Sequence, residues 1–138
     1  MIKGFIAGAF DLIHPGYVYM FANAKEHCDH LIIALQTDPT IDRPEKMKPV
    51  NTYRERIVVL RSIRYVDTVF PYTTEEDLVE VLKYCNPDIR FLGDDYRDVS
   101  KTKITGYLEC EDIRFIGRSH GYSTTKLKDK IVESYKNE

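Results

Sequence analysis

Two segments carry residues able to bind and polarise phosphate oxygens, one near each end of the chain. The first, GAFDLIHPGY from Gly8 to Tyr17, follows the apolar run Ile2–Ala7 and sets Asp11 and His14 just before Pro15 and Gly16. The second, RSHGYSTTKLKDKI from Arg118 to Ile131, follows the apolar run Ile113–Ile116. Each reads as a turn that leaves a strand and opens a helix. Gly8 lets the backbone pass close to a ligand with no Cβ in the way. An imidazole at a helix mouth can donate to a phosphate oxygen, and the helix N-terminus adds amide donors and a favourable dipole. Arg118 offers a guanidinium fork matched to phosphate oxygens. Gly121 permits a tight turn, and Ser123, Thr124 and Thr125 combine a helix cap with hydroxyl donors. Singly, each feature has a plainer use, with Asp11, His14 and the Ser-Thr-Thr run all serving as ordinary caps. Together the two turns describe a polyphosphate site, where fixed donors can meet the charge that builds on phosphorus oxygens during transfer.

Such turns need strands and helices to hold them, and the chain supplies both in alternation. Ile2–Ala7, Leu31–Leu35, Val66–Phe70, Ile89–Leu92 and Ile113–Ile116 read as strands, the second as a continuous apolar run typical of a buried parallel strand. Helices are expected from Pro15 to about His27, over Tyr53–Ile63 and Leu78–Tyr84, and from near Ser123 to about Tyr135. Thr52 with Glu55, and Thr73 with Glu76, fit capping boxes. The proline-punctuated stretch from Gln36 to Asn51 is the longest expected loop, and loops of about 12–15 residues or more are usually functional or mobile. The alternation predicts a single Rossmann-like α/β domain spanning residues 1–138, with a parallel five-stranded sheet and helices on both faces. Ligands of such sheets bind at the carboxyl ends of the strands, at the topological switch point.

With 138 residues and 43% hydrophobic content there is room for one core. A net charge of -2 argues against a nucleic-acid or membrane partner held by bulk charge. Cys28, Cys85 and Cys110 are widely spaced and odd in number, which suggests reduced thiols in a cytoplasmic protein and no zinc site or disulfide framework. MIKGFIAGAF enters a strand-like run directly, so no signal peptide is expected, and no apolar stretch approaches the roughly 18 residues of a membrane span.

The two turns, with a third segment after the fourth strand, resemble the cytidylyltransferase family of nucleotidylyltransferases, and within it the glycerol-3-phosphate cytidylyltransferases. His14-Pro15-Gly16-Tyr17 stands where the family has HxGH, with tyrosine for the second histidine. Arg118 to Thr125 matches RTxGxSTT, Ser119 keeping the threonine's hydroxyl, and Gly93-Asp94-Asp95-Tyr96 matches GDDW with tyrosine for tryptophan. Order and spacing persist from Gly8 to Lys126. The resemblance implies an enzyme that joins CTP to a small phosphorylated alcohol and releases pyrophosphate. It implies catalytic roles for His14, Tyr17, Lys46 and Arg118. It assigns Gly8, Ala9, Phe10, Asp11, Arg64, Asp94, Ser119, Ser123, Thr124 and Thr125 to the nucleotide, and Lys48 and Arg56 to the acceptor or its loop. Otherwise Lys46 and Lys48 read as exposed loop lysines, and Arg56 and Arg64 as solvated helix charge. A homodimer is implied, as is Mg²⁺ that arrives with the triphosphate, since Mg²⁺ leans on substrate phosphates more than on protein cages.

In the expected reaction the acceptor phosphate attacks the α-phosphorus of CTP in line, with no covalent enzyme intermediate. Tyr17 can donate one hydrogen bond to a phosphate oxygen but cannot supply the charge of an imidazolium. Two rivals follow. One is an adenylyltransferase or a sugar-phosphate nucleotidylyltransferase. The other is a nucleotide-binding protein in which Tyr17 has abolished turnover. A redox dinucleotide domain is disfavoured because the first turn lacks GxGxxG.

Overall fold

The apolar run Leu31–Leu35 shows no polar alternation because its strand, β2 (His30–Gln36), is covered on both faces. The computed structural model describes residues 1–117 and 120–136. The other elements are β1 (Lys3–Gly8), α1 (Pro15–Lys25), α2 (Tyr53–Ser62), β3 (Thr68–Tyr72), α3 (Glu75–Cys85), β4 (Ile89–Gly93), β5 (Ile113–Ile116) and α4 (Thr124–Lys136). Two short 3₁₀ turns, Asp94–Tyr96 and Lys101–Lys103, lie between β4 and β5. The five strands are all parallel in the order β3-β2-β1-β4-β5. The chain therefore builds outward from β1 in one direction and then adds β4 and β5 on its other side. That reversal makes the carboxyl ends of β1 and β4 the switch point.

Phe21 and Ala24 of α1 and Leu60 of α2 pack with Ile6, Ile33 and Phe91 on one face of the sheet. Leu78 and Leu82 of α3 pack with Phe5, Ile32 and Ala34 on the other. Consecutive strand residues such as Phe5 and Ile6 thus feed opposite cores. Each fully buried side chain of this size contributes about 1.5–3 kcal/mol.

Local signals explain the element boundaries. The box at Thr52 forms, with its hydroxyl accepting from the Glu55 amide at 3.1 Å and the Glu55 carboxylate accepting from the Thr52 amide at 2.8 Å. The second box sits one residue later than expected, at Thr74 and Asp77. The Thr73 hydroxyl is engaged instead with that of Thr37, and α3 begins at Glu75, three residues before Leu78. β3 likewise lies two residues later than the apolar run suggested, because Val66 is drawn into a turn closed on Ile63. It includes Pro71, which an edge strand tolerates.

Among the described residues no helix is long and apolar enough to cross a membrane. The three cysteines are unpaired and buried, and burial pushes each thiol up, away from reactivity.

Candidate active site

The amino ends of α1 and α4 meet at the carboxyl edge of the sheet. His14 is the N-cap of α1, in extended conformation, and its Nδ1 accepts from the Gly16 amide at 3.1 Å. Pro15 has no amide proton, so the cap bond falls to Gly16. With Nδ1 accepting, a neutral His14 carries its proton on Nε2. A Cβ on Gly16 would lie 2.8 Å from Cε1 of His14 and 2.7 Å from Cε1 of His120. The glycine is what lets two imidazoles, from opposite ends of the chain, converge on one point.

Tyr17 stacks on His14 with ring centroids 4.3 Å apart, and its hydroxyl lies 3.0 Å from Oγ1 of Thr124. The Thr124 hydroxyl in turn donates to the Asp11 carbonyl at 3.0 Å. A threonine hydroxyl has one proton, so Tyr17 is the donor to Thr124. The first turn of α4 is completed by Ser123, whose Oγ accepts from the Lys126 amide, and by Gly121 at φ +77°. His14, Tyr17, His120 and Ser123 to Thr125 line a cleft of about 200 Å³. Arg118 and Ser119, expected here, lie outside the described residues. His120 was not singled out from the sequence. Its partner His14 is too distant along the chain for spacing to connect them.

The first turn itself is tightly wound, with Phe10 and Leu12 both in the left-handed region at φ 46° and 50°. Non-glycine residues in that region mark strain that the surrounding structure must hold. Packing and hydrogen bonds hold it here. The Phe10 ring is buried edge-on to Tyr17 and Phe21, so only its backbone can face a nucleotide. The Asp11 carboxylate, expected at the nucleotide, is buried and accepts from the amides of Val50 and Asn51 at 2.8 and 2.9 Å. It therefore moors the far end of the long loop.

Arg56, expected at the acceptor or its loop, or else in solvent, is 2% exposed. Its guanidinium donates to the carbonyls of Asn51, Ala9, Gln36 and Thr37, at 2.6–3.1 Å. Burial pulls it below its ordinary value, and the charge of Asp11 opposes that. A buried guanidinium with its fork on main-chain carbonyls cannot also reach a phosphate. Arg56 ties both ends of the loop to the first turn.

A larger cleft of about 400 Å³ runs from Gly8 and Ala9 past Gln36, Arg43, Lys46 and Tyr72 to Arg90. Lys46 lines it, while Lys48 is turned toward Asp38 at 3.9 Å. Arg90 went unnoticed in the sequence because β4 reads as an apolar strand around it. It is 3% exposed, its Nη1 donates to the Thr105 carbonyl, and its Nε finds no partner among the described residues. Burial pulls Arg90 down and pushes Tyr72 well above the usual phenol range.

Asp94 is half-buried and paired with Arg97, and its Oδ2 is near enough to Gly117 that a Cβ there would lie at 3.1 Å. It thus stands beside the smaller cleft. Arg64 does not come to either one. It lies over the Tyr65 ring in the turn before β3, at the amino edge of the sheet. Among the described residues no three His, Cys, Asp or Glu side chains gather closely enough to hold a metal ion.

The chain matches the model of the cytidylyltransferase-like family over residues 5–130. It is 33% identical over 135 residues to the glycerol-3-phosphate cytidylyltransferase of Bacillus subtilis, covering 96% of this chain and 98% of that protein. It is 36% identical over 140 residues to the FAD synthase of Pyrococcus abyssi, covering 97% and 95%. The crystal structure of the lipopolysaccharide core biosynthesis protein from Thermoplasma volcanium shares the fold, with a TM-score of 0.69 at 22% identity, covering 86% of this chain and 97% of that one.

Proposed function

The chain belongs to the cytidylyltransferase-like family of nucleotidylyltransferases, and on that basis we propose that it transfers a cytidylyl group from CTP to a small phosphorylated alcohol such as glycerol 3-phosphate. The observation that carries this reading is the meeting of α1 and α4 at the switch point, with Tyr17, Thr124 and Asp11 joined across it. Two helix N-termini aimed at one cleft suit a triphosphate. His14 donates from Nε2 to an α-phosphate oxygen. Ser123, Thr124, Thr125 and the α4 amides hold the β- and γ-phosphates, together with Arg118 and Ser119. Asp94 receives the nucleoside. The acceptor occupies the larger cleft, where Lys46, Arg43 and Arg90 supply positive charge. Its phosphate oxygen forms a new bond to the α-phosphorus while the bond to the bridging oxygen breaks, and that electron pair leaves on pyrophosphate. Mg²⁺ enters with the triphosphate and neutralises its charge.

The same reading includes a cytoplasmic homodimer. Three buried, unpaired thiols are in keeping with a reducing compartment. Val58 and Val59, exposed on α2, are apolar surface that a second copy would cover.

Adenylyl transfer is the second reading, favoured by the similarity to a protein named FAD synthase, since FAD contains an adenylyl group. Melting curves with Mg²⁺ and each nucleotide, followed by pyrophosphate release with glycerol 3-phosphate, separate the two. A ligand at a hundredfold excess over Kd adds about 2.7 kcal/mol. CTP is expected to stabilise more than ATP. An equal or larger effect of ATP overturns the choice of base, and binding without pyrophosphate release from any acceptor overturns the enzyme.

A further inference from the structure

The first turn offers only one imidazole, because Tyr17 stands at its second position. Its hydroxyl proton is also committed to Thr124. The second turn brings another imidazole to the same place. His120 is half-buried in the wall of the phosphate cleft and presses on the same point above Gly16 that His14 approaches. Its Nδ1 accepts from the Tyr122 amide at 2.9 Å. A neutral His120 therefore carries its proton on Nε2, as His14 does. Rings of Tyr122 and Tyr19, with centroids 5.7 and 5.9 Å away, flank it. The two histidines thus repeat one device. Each caps its own turn through Nδ1, each when neutral carries its proton on Nε2, and each borders the glycine that opens a helix.

We infer that His120 is a catalytic residue that supplies, from the second turn, the imidazole donor to the reacting phosphate which Tyr17 does not supply from the first. This rests on the proposed nucleotidyl transfer. During attack, negative charge grows on the α-phosphate oxygens and on the bridging oxygen that departs with pyrophosphate. His14 and His120 meet that charge from two sides without giving up a proton. Gly121, at φ +77°, lets the chain turn tightly enough after His120 to reach the α4 N-terminus.

Two substitutions separate donor from cap. His120→Asn keeps an oxygen where Nδ1 accepts from Tyr122 but removes the Nε2 donor. His120→Gln keeps an N–H near the Nε2 position and loses the cap. If His120 acts on the phosphates, His120→Asn lowers kcat by about 10²–10³, and His120→Gln stays within about tenfold of the natural protein. Melting temperatures guard against a folding defect. If His120 only closes the turn, the order reverses, with His120→Gln the poorer protein and His120→Asn fully active. That result overturns the inference.

A second readout does not need turnover. Imidazole proton resonances of His14 and His120 are followed by NMR as CTP and Mg²⁺ are added, with His27 and His30 as internal references. Both His14 and His120 are expected to shift. Movement of His14 alone overturns the role of His120 while leaving the nucleotide site intact. No movement of either overturns the nucleotide site, and the inference falls with it.

Discussion

Replacing Tyr17 with phenylalanine isolates one proton. The ring stays, with its stack on His14 and its edge contact to Phe10 at 5.4 Å. What goes is the donor to Thr124, one of the hydrogen bonds that join α4 to the first turn beside the Lys128–Asp11 ion pair. Thr124 keeps its own bond to the Asp11 carbonyl, so no donor is orphaned and only a lone pair loses its partner. A neutral hydrogen bond of this kind contributes about 0.5–1.5 kcal/mol net. For a chain of this size that is a fall in melting temperature of roughly 2–5 °C. The rate effect follows from where the proton is. A donor aimed at developing charge is worth about 10²–10³ in kcat. A donor that only steadies Thr124 costs less than about tenfold, the equivalent of 1.4 kcal/mol. Pyrophosphate release and thermal melting on the same preparation read both. Thr124→Val completes a double-mutant cycle, and residues in one hydrogen-bond network should couple by about 0.5–3 kcal/mol. A hundredfold loss of kcat with an unchanged melting temperature would refute the reasoning, because it would mean that the Tyr17 hydroxyl leaves Thr124 for the substrate.

Arg56→Met removes the donor to four carbonyls and should cost on the order of 3–5 kcal/mol, read from denaturant midpoints; a loss below about 1 kcal/mol would show that the loop is held by its other anchors without Arg56. Arg90→Met exchanges a buried cation with an unpartnered Nε for an apolar chain of similar length, so the melting temperature should hold or rise while the acceptor KM rises several-fold. A collapsed melting temperature with an unaltered KM would make Arg90 purely structural. Asp77 is held below the usual carboxylate range by the amides of Thr74 and Thr73. A depressed carboxylate stabilises the fold above its unfolded value near 3.9 and ceases to as pH falls through its folded value. The melting-temperature gap between the natural protein and Asp77→Asn should therefore be full at pH 7 and close below about pH 4; a gap that persists at pH 2 would place the effect outside ionisation.

The fold was legible because its signals are local or periodic. The buried run Leu31–Leu35, the capping box at Thr52 and the Pro15-Gly16 helix opening each act within a few residues, and the structure keeps all three. The misplaced pieces were those decided by distant neighbours. Thr73 lost its capping role to a bond with Thr37 across two strand ends, and Val66 left its strand for a turn on Ile63. The charged residues show the same division more sharply. Asp11 and Arg56 have the chemistry of ligand groups, yet their neighbours in space are main-chain amides and carbonyls of a loop that needed mooring. Residue type cannot distinguish a carboxylate that meets a substrate from one that meets Val50 and Asn51. Only the path of the loop decides it.

That path also changes how the altered HPGY segment is to be understood. A motif read along one segment counts a histidine exchanged for tyrosine as a loss. The structure joins Tyr17 of that segment to Thr124, 107 positions away, and brings His120 to Gly16 beside His14. The tyrosine fits its place because its hydroxyl reaches α4 and its ring supports His14. Gly16 is then constrained from both directions, since any side chain there would collide with both rings. If the second turn carries the second imidazole, tyrosine at position 17 and histidine at position 120 are one change distributed over two turns. A chain with Tyr17→His and His120→Asn together should then work better than one with His120→Asn alone, because the donor returns to the first turn. Equal activity of the two would show that the turns do not exchange this role.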